Sequence, residues 1–359
     1  MEKQLIVIKV GTSSLTSADG SADSLKIKKI CDGVADLRDR GDRVIVVSSG
    51  AIAAGFRKLG FAARPSQIQF EQASAAVGQV LLMDEYSAHL SKRGYHAAQI
   101  LLTPDAFLIK EKYVNAFNTL EILLKRGVVP VINENNTVAT SEIRFGDNDT
   151  LSAQVAAMVH ADRLVLLTDI DGLYTGNPKT DAQARKLSVI EKITPELEAY
   201  AAGAGSANGT GGMRTKVSAA KLATSAGVEV YICSSKPEGA VLGGVTGDNP
   251  GTLFKAGENL KTRLQWMAFY AKSRGELVID EGAAAAVAEH HRSLLLAGIA
   301  EVKGDFVQGD VVDILSADGV RVARGFASYS ADQLRALKAQ GSAARPAVHI
   351  DNMVVSTAL

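Results

Sequence analysis

Short apolar runs rich in valine and isoleucine alternate with longer stretches of helical period along most of this chain. The runs are LIVIKV, RVIVVSS, residues 95–102, VVPVI, RLVLLT and VEVYIC. Between them lie helical patterns at 23–40 and 66–93, one ending at Arg126, one from Asp149 and one from Met213. Strands with almost no polar alternation are buried on both faces, as happens when helices cover a mostly parallel sheet. The pattern predicts an α/β fold, an αβα sandwich with a mostly parallel central sheet. In such sheets ligands bind beyond the carboxyl ends of the strands, so chemistry is expected in the loops that follow each run. Between residues 138 and 145 the period shortens to that of a hairpin, read as an arm or lid added to the sheet.

The alternation stops near Phe254. Residues 255–274 carry five basic side chains against the single acid Glu258 and read as a linker. Beyond it, ELVID, a small-residue helix at 281–289 and the segments SLLLAGIAEV, FVQGDVVDIL and VRVARGFASY are each closed by Gly, Asp or Ser. Such spacing predicts a small β-barrel-like module. The expected division is a large domain at 1–255, a linker at 256–275 and a small domain at 276–359, which suits a chain of 359 residues.

The 39 basic and 39 acidic side chains cancel, so no overall field draws the molecule to nucleic acid or an anionic membrane. The last segment, 276–359, has 7 Lys+Arg against 11 Asp+Glu, a net charge of −4. Phosphate binding by that module would fall to Arg321, Arg324 and the basic linker alone, so RNA is a poor partner for it. An assembly or regulatory role is compatible with its acidic, apolar character. No apolar run approaches the roughly 18 residues of a spanning helix. Cys31 and Cys233 fall in apolar patterns and read as buried small hydrophobes, not a bridge or a metal site; a reducing cytoplasm is the expected location.

Five polar clusters follow strand ends. In the first, Lys9 is followed by Val-Gly-Thr-Ser-Ser, where Gly11 allows close backbone approach and Lys9 adds a positive charge. An ordinary turn fits this segment equally when it is taken alone. In the second, Ser48, Ser49, Gly50 and Ala51 can offer hydroxyls and amides to a carboxylate, with a helix cap as the alternative. The third is the densest, with Asn133, Glu134, Asn135 and Asn136, then Gly146, Asp147, Asn148 and Asp149 at a helix start. Carboxamides both donate and accept, which suits a zwitterionic amino acid, and Asp149 can hold two lysines in place. The fourth is Thr168-Asp169 leading to Gly172-Leu173-Tyr174, which fits a nucleoside pocket or an ordinary strand-end turn. The fifth, GAGSANGTGGMRTK, has five glycines in its first ten positions and runs into a helix whose first turn carries Arg214 and Lys216. Helix N-termini bind phosphate, so the economical reading is a glycine loop that closes over a triphosphate.

None of the six histidines falls in a cluster, and His290 and His291 read as an exposed helix end. An alcohol acceptor needs a base to remove its proton, whereas a carboxylate with a solution pKa near 4.3 is already ionised at neutral pH. It needs charge neutralisation, which Lys9, Lys216 and a divalent cation carried by the nucleotide supply.

Together IKVGTSSL, VSSGAIAAG, VINENNTVAT, FGDNDTLSA, LLTDIDGLYT and GTGGMRTK, in that order across residues 6–216, resemble the amino-acid kinase family. The match is closest to its members acting on free glutamate. The segments from GELVIDEGAAAAV to RGFASYS resemble a PUA domain. By that resemblance Lys9 and Lys216 contact the phosphates and Asp149 organises them. Ser49, Gly50, Ala51, Asn133, Asn136 and Asn148 bind glutamate; Gly11, Thr168, Asp169, Thr210, Gly211, Gly212 and Met213 join the two lysines in binding ATP. The resemblance implies ATP with Mg²⁺, no metal held by side chains, and γ-glutamyl phosphate as product on the route to proline. It also implies proline as feedback inhibitor and a homo-oligomer, dimer or tetramer. A kinase of the same family acting on N-acetylglutamate is the nearest rival. The family often has Asp where this chain has Asn136, a position associated with the substrate's amino group.

Overall fold

The computed structural model describes residues 3–17, 19–138, 148–176, 178, 181, 183–203, 212–257, 264, 267, 271–341 and 344–355. The chain divides into two compact units, Met1–Ala106 with Glu111–Asn259, and Phe107–Lys110 with Leu260–Leu359.

The strands of the first unit are β1 (Leu5–Val10), β2 (Arg43–Ser48), β3 (Ala97–Leu102), β4 (Val129–Glu134), β5 (Arg163–Thr168), β6 (Leu173–Tyr174), β7 (Lys186–Leu187), β8 (Val189–Ile190), β9 (Glu229–Ser234) and β10 (Gly251–Phe254). Eight of them form one sheet in the order β3-β4-β2-β1-β5-β9-β10-β8, while β6 and β7 pair separately. From β3 to β9 every pairing is parallel; β10 then runs antiparallel to β9, and β8 parallel to β10. This is the expected mostly parallel sheet. Every residue of β1 is buried, so the unbroken apolar run is explained by cover on both faces.

The helices are α1 (Ser24–Asp39), α2 (Ala51–Gly55), α3 (Ile68–Ser91), α4 (Asp105–Leu108), α5 (Lys110–Lys125), α6 (Asn148–Met158), α7 (Pro195–Gly203), α8 (Met213–Ser225) and α9 (Ala240–Thr246). Asp23 caps α1 by accepting from the Leu25 and Lys26 amides, and Ile27, Ile30, Cys31, Val34 and Leu37 carry its buried stripe into the main core. Cys31 and Cys233 are both free and buried, and burial pushes each thiol up to about 12, which leaves them inert. Among the described residues no helix is long and apolar enough to cross a membrane.

Two registers place the site. Val10 at the end of β1 pairs with Ser48 at the end of β2 and with Leu167 near the end of β5, and Thr168 pairs with Ser234 of β9. The carboxyl ends of four neighbouring strands, β2, β1, β5 and β9, are therefore level, and the first three are each followed by one of the polar segments. Behind β2, α2 packs on α3 with almost no separation. A Cβ at Gly55 would lie 1.9 Å from the Ser74 carbonyl oxygen, and one at Gly78 1.8 Å from that of Ala51. Glycine is required at both crossing points because backbone meets backbone there.

The second unit has β11 (Gly275–Ile279), β12 (Ile299–Gly304), β13 (Val311–Leu315), β14 (Arg321–Phe326) and β15 (Met353–Val355) in one sheet of order β12-β11-β13-β14-β15. Only β11 and β13 pair in parallel. The short-strand pattern of the sequence is realised as this sheet. Leu277, Ile279, Val312, Ile314 and Ala323 from its strands share a core with Leu334 of the helix Ala331–Gln340, whose start carries a reciprocal Ser330–Gln333 capping box. The Arg324 guanidinium is spent inside this unit, 2.7 Å from Asp313 and bonded to the Ala271 carbonyl. His290 and His291 are exposed just after the helix Glu281–Ala288, as expected.

The predicted arm at 138–145 lies, beyond Val138, outside the described residues, as does most of the basic linker. The predicted helix at 66–93 is α3, two residues shorter at each end, preceded by the five-residue α2 that the sequence pattern did not separate.

Candidate active site

Lys9 is the next-to-last residue of β1, and its side chain reaches the first turn of α6. There its Nζ lies 2.6 Å from Oδ1 of Asp149. From α8, Lys216 brings its Nζ to 3.0 Å from Oδ2 of the same carboxylate. All three are buried, at 6 %, 4 % and 0 % exposure for Lys9, Lys216 and Asp149. Burial pushes the Asp149 carboxyl up, yet the two ammonium groups outweigh that and hold it below the ordinary carboxylate range. Among the described residues, two ammonium groups thus share one carboxylate in a place water barely reaches. Buried cations are favourable only beside anions, which suits this centre to an anionic ligand.

Thr215 completes this centre. Its hydroxyl stands 3.0 Å from Asp149 Oδ2 and 2.8 Å from the Gly212 carbonyl, linking the start of α8 to the carboxylate. Gly212 is the residue before α8, and among the described residues a Cβ built on it would meet nothing within 4 Å. Met213, the first helical residue, is buried. Thr210 and Gly211 lie outside the described residues.

The loop after β1 is a short 3-10 turn, Thr12–Ser14. Lys26 pins it from α1 by donating to the carbonyls of Ser13 (3.1 Å) and Thr16 (2.6 Å), and the Ser14 hydroxyl donates to that of Ser235 at 2.7 Å. A Cβ at Gly11 would sit 3.6 Å from the Lys9 ammonium, in the space where an anion could meet that lysine. After β5, buried Thr168 donates to Asp169 at 3.1 Å, and its carbonyl accepts from the Ser235 amide at 2.7 Å.

The third and second clusters of the sequence meet in one hydrogen-bonded group. The Asn148 amide nitrogen lies 2.7 Å from the Ser48 carbonyl, 3.0 Å from the Ser49 hydroxyl and 3.1 Å from Asn133 Oδ1. Gly50 turns the chain from β2 into α2 at φ 94°, a left-handed conformation open to glycine, and Ala51 begins the helix. Asn133 donates to Gln79 at 2.9 Å, and Gln79 to Gln99 at 3.0 Å. Asn136 is held elsewhere: its amide donates to the Glu134 carbonyl at 3.1 Å.

Of the expected residues, Lys9, Asp149 and Lys216 form one centre, while Ser49, Asn133 and Asn148 form a second. Asp149 and Asn148 are consecutive on α6 and join the two. Sequence reading held Ser14 and Thr215 within its first and fifth clusters without giving either a role of its own, and it missed Ser235 and Gln79. Thr215 lay between the two basic residues that drew attention. Gln79 was visible as a lone carboxamide in the small apolar run ASAAVG-Q-VLL, where its burial is unusual for that residue type.

Among the described residues no group of three or more His, Cys, Asp or Glu could hold a metal ion. Both oxygens of Asp149 face lysines, so these side chains do not fit a resident divalent cation. A Mg²⁺ ion that arrives on the phosphates belongs to the substrate.

The model of the amino acid kinase family matches residues 4–234, and that of the PUA domain residues 275–350. A curated relative, the glutamate 5-kinase of Streptococcus sanguinis, is 50% identical over 359 residues, covering 99% of this chain and 97% of its own. That of Streptococcus gordonii is 55% identical over 315 residues, covering 88% and 85%. Among solved structures, carbamate kinase from Giardia lamblia bound to AMP-PNP superposes with a TM-score of 0.52 at 16% identity, covering 71% of this chain and 99% of that one. UMP kinase from Ureaplasma parvum gives 0.50 at 15%, covering 71% and 100%. At such identities the likeness is one of fold. With its mostly parallel sheet and these matches, the chain belongs to the amino acid kinase family and carries a C-terminal PUA domain.

Proposed function

We propose that this chain transfers the γ-phosphate of ATP to the γ-carboxylate of L-glutamate, forming L-glutamyl 5-phosphate, the first step of proline biosynthesis. The observation that carries the reading is the buried Lys9–Asp149–Lys216 centre, two cations on one carboxylate, next to a carboxamide group suited to an amino acid. The identity of the acceptor rests on the curated glutamate 5-kinases at about half identity over nearly the full chain.

A carboxylate oxygen attacks the γ-phosphorus, the bond from that phosphorus to the β–γ bridging oxygen breaks, and ADP leaves with the electron pair. No proton has to be removed, which agrees with a centre built of lysines rather than of a histidine base. The obstacle is charge. Two unit negative charges about 4 Å apart repel by roughly 4 kcal/mol at an effective dielectric near 20, and the phosphoryl group carries more than one. Lys9 and Lys216 offset that repulsion, and Asp149 holds them apart at a fixed spacing so that little reorganisation is needed as the phosphoryl group moves. Gly11, Gly212, Met213, Thr168 and Asp169 are assigned to ATP, which enters as its Mg²⁺ complex, and Thr210 and Gly211 join them by position in the sequence. Ser49, Gly50, Ala51, Asn133, Asn136 and Asn148 are assigned to glutamate. Feedback inhibition by proline, a homo-oligomeric state and a cytoplasmic location belong to the same reading.

Acceptor-dependent ADP release tests it. L-Glutamate is expected to support turnover far better than N-acetyl-L-glutamate, and proline to suppress it. A preference for the acetylated acceptor would reassign the substrate within the family.

A further inference from the structure

The carboxamides behind the acceptor group have a direction. Asn133 Oδ1 accepts from the Glu134 backbone amide at 2.9 Å, and a backbone N–H can only donate. The nitrogen end of Asn133 must therefore point the other way, to Gln79 Oε1 at 2.9 Å. Gln79 is thereby oriented too, and its own nitrogen donates to Gln99 Oε1 at 3.0 Å. At the other end, Asn148 Nδ2 faces the Ser48 carbonyl at 2.7 Å, and a carbonyl can only accept. Two backbone groups thus set the sense of the whole series independently of any choice between amide oxygen and nitrogen.

That sense decides what the substrate meets. With the two N–H groups of Asn148 shared among Ser48, Ser49 and Asn133, its oxygen, which has no partner among the described residues, is the end that can accept from an ammonium group. Because the Ser49 oxygen accepts from Asn148, the Ser49 proton is available for donation to a carboxylate. Were Asn133 reversed, its nitrogen would confront that of Asn148, donor against donor, and both presentations would be lost. Beside the Glu134 amide, the side chain that opposes this reversal is Gln79, on α3 at 8 % exposure, presenting an acceptor to the nitrogen of Asn133 in a site water scarcely enters.

We infer that Gln79 is a positioning residue that sets amino-acid affinity by holding Asn133, and through it Asn148 and Ser49, in the orientation that receives the substrate's ammonium and α-carboxylate groups. The inference rests on the reading of glutamate as acceptor. It separates from the nucleotide side, because Gln79 makes none of the hydrogen bonds that tie Lys9, Lys216 or Thr215 to Asp149.

Steady-state kinetics of the full chain test it with two variants. Gln79→Met keeps the volume and removes the acceptor; Gln79→Glu keeps an acceptor for Asn133. For Gln79→Met the KM for L-glutamate should rise about tenfold, the size of a lost hydrogen bond to a charged group, with the KM for ATP and the melting temperature near wild type. Gln79→Glu should recover most of that loss. If Gln79→Met does not fold, Gln79→Glu carries the test, and its KM for glutamate should stay within about threefold of wild type on the same grounds. An unchanged glutamate KM in Gln79→Met, a parallel rise in both KM values, or a Gln79→Glu enzyme as impaired as the methionine variant overturns the inference. A wild-type chain inactive on L-glutamate overturns the functional reading and this inference with it. A wild type active on L-glutamate beside an unaltered Gln79→Met enzyme overturns this inference alone.

Discussion

Lys9 and Lys216, one on β1 and the other on α8, close on opposite oxygens of a single buried carboxylate, at 2.6 and 3.0 Å from Asp149. A lysine is a flexible point charge, and burying two of them side by side would be unfavourable without the anion between. The arrangement keeps both charges in fixed places on one carboxylate, where a polyphosphate can meet them.

Removing either lysine should therefore act on turnover more than on acceptor binding. Lys9→Ala and Lys216→Ala are each expected to lose about 3 kcal/mol of transition-state stabilisation, roughly a hundredfold in kcat. Single-turnover or steady-state rates check this, and near wild-type kcat in both variants would refute it.

Asp149→Asn keeps the shape and removes the charge. The two buried ammonium groups then repel without compensation, and breaking a buried ion pair from one side costs about 3–5 kcal/mol of stability. ATP should restore much of that by supplying the missing anion, so the ATP-induced rise in melting temperature should be larger in Asp149→Asn than in wild type. Equal rises would contradict the role given to this carboxylate.

The same group sets an acid limit. Burial favours the neutral form of Asp149, but Lys9 and Lys216 reverse the balance, so its folded pKa lies below the ordinary 3.8. A depressed carboxylate contributes stability that is complete above the unfolded value and is lost as pH falls through the folded one. This centre should therefore add no pH dependence to stability between neutrality and about pH 5. Its contribution should disappear in acid below the ordinary value. Unfolding midpoints across that range, compared with Asp149→Asn, would show the loss in wild type and its absence in the variant.

Gly78→Ala probes the scaffold. The added methyl would lie 1.8 Å from the Ala51 carbonyl oxygen, which is backbone and cannot swing aside. Separating α2 from α3 should cost about 1–3 kcal/mol, in the range of overpacking. It should also raise the glutamate KM, because α2 starts directly after Ser49 and Gly50. A thermal melt at wild-type temperature would refute this packing.

Asn136→Asp tests the carboxamide expected near the substrate's amino group. The variant gives up a donor to the Glu134 carbonyl, worth about 1 kcal/mol, and gains a charge complementary to an ammonium group. The glutamate KM should fall or stay the same; a large rise would show that Asn136 serves some other purpose.

What could be read from the sequence was what depends on local pattern. LIVIKV, RVIVVSS, RLVLLT and VEVYIC are strands because each is an apolar run long enough to span a covered sheet. Val189–Ile190 has only two residues, and Gly251–Phe254 opens with a glycine whose Cβ would strike the Ile232 carbonyl at 2.5 Å. Neither carries a period, so the edge of the sheet was not visible. The lysine pair and Asp149 were legible because each lies within a few residues of an element end and of a glycine or asparagine. Gln79 was not, because its meaning lies in a bond to Asn133 across 54 positions of chain, made only once α3 crosses behind β4. Asn136 was legible as polar, but its bond back to Glu134 follows from the turn after β4 and not from composition.

Trapping the product with hydroxylamine measures the proposed reaction most directly. With ATP, Mg²⁺, L-glutamate and hydroxylamine, the chain should form γ-glutamyl hydroxamate in step with ADP, at a rate that collapses in Lys216→Ala. ADP released without hydroxamate, or hydroxamate formed equally well by Lys216→Ala, would contradict transfer to the glutamate carboxylate at the Lys9–Asp149–Lys216 centre.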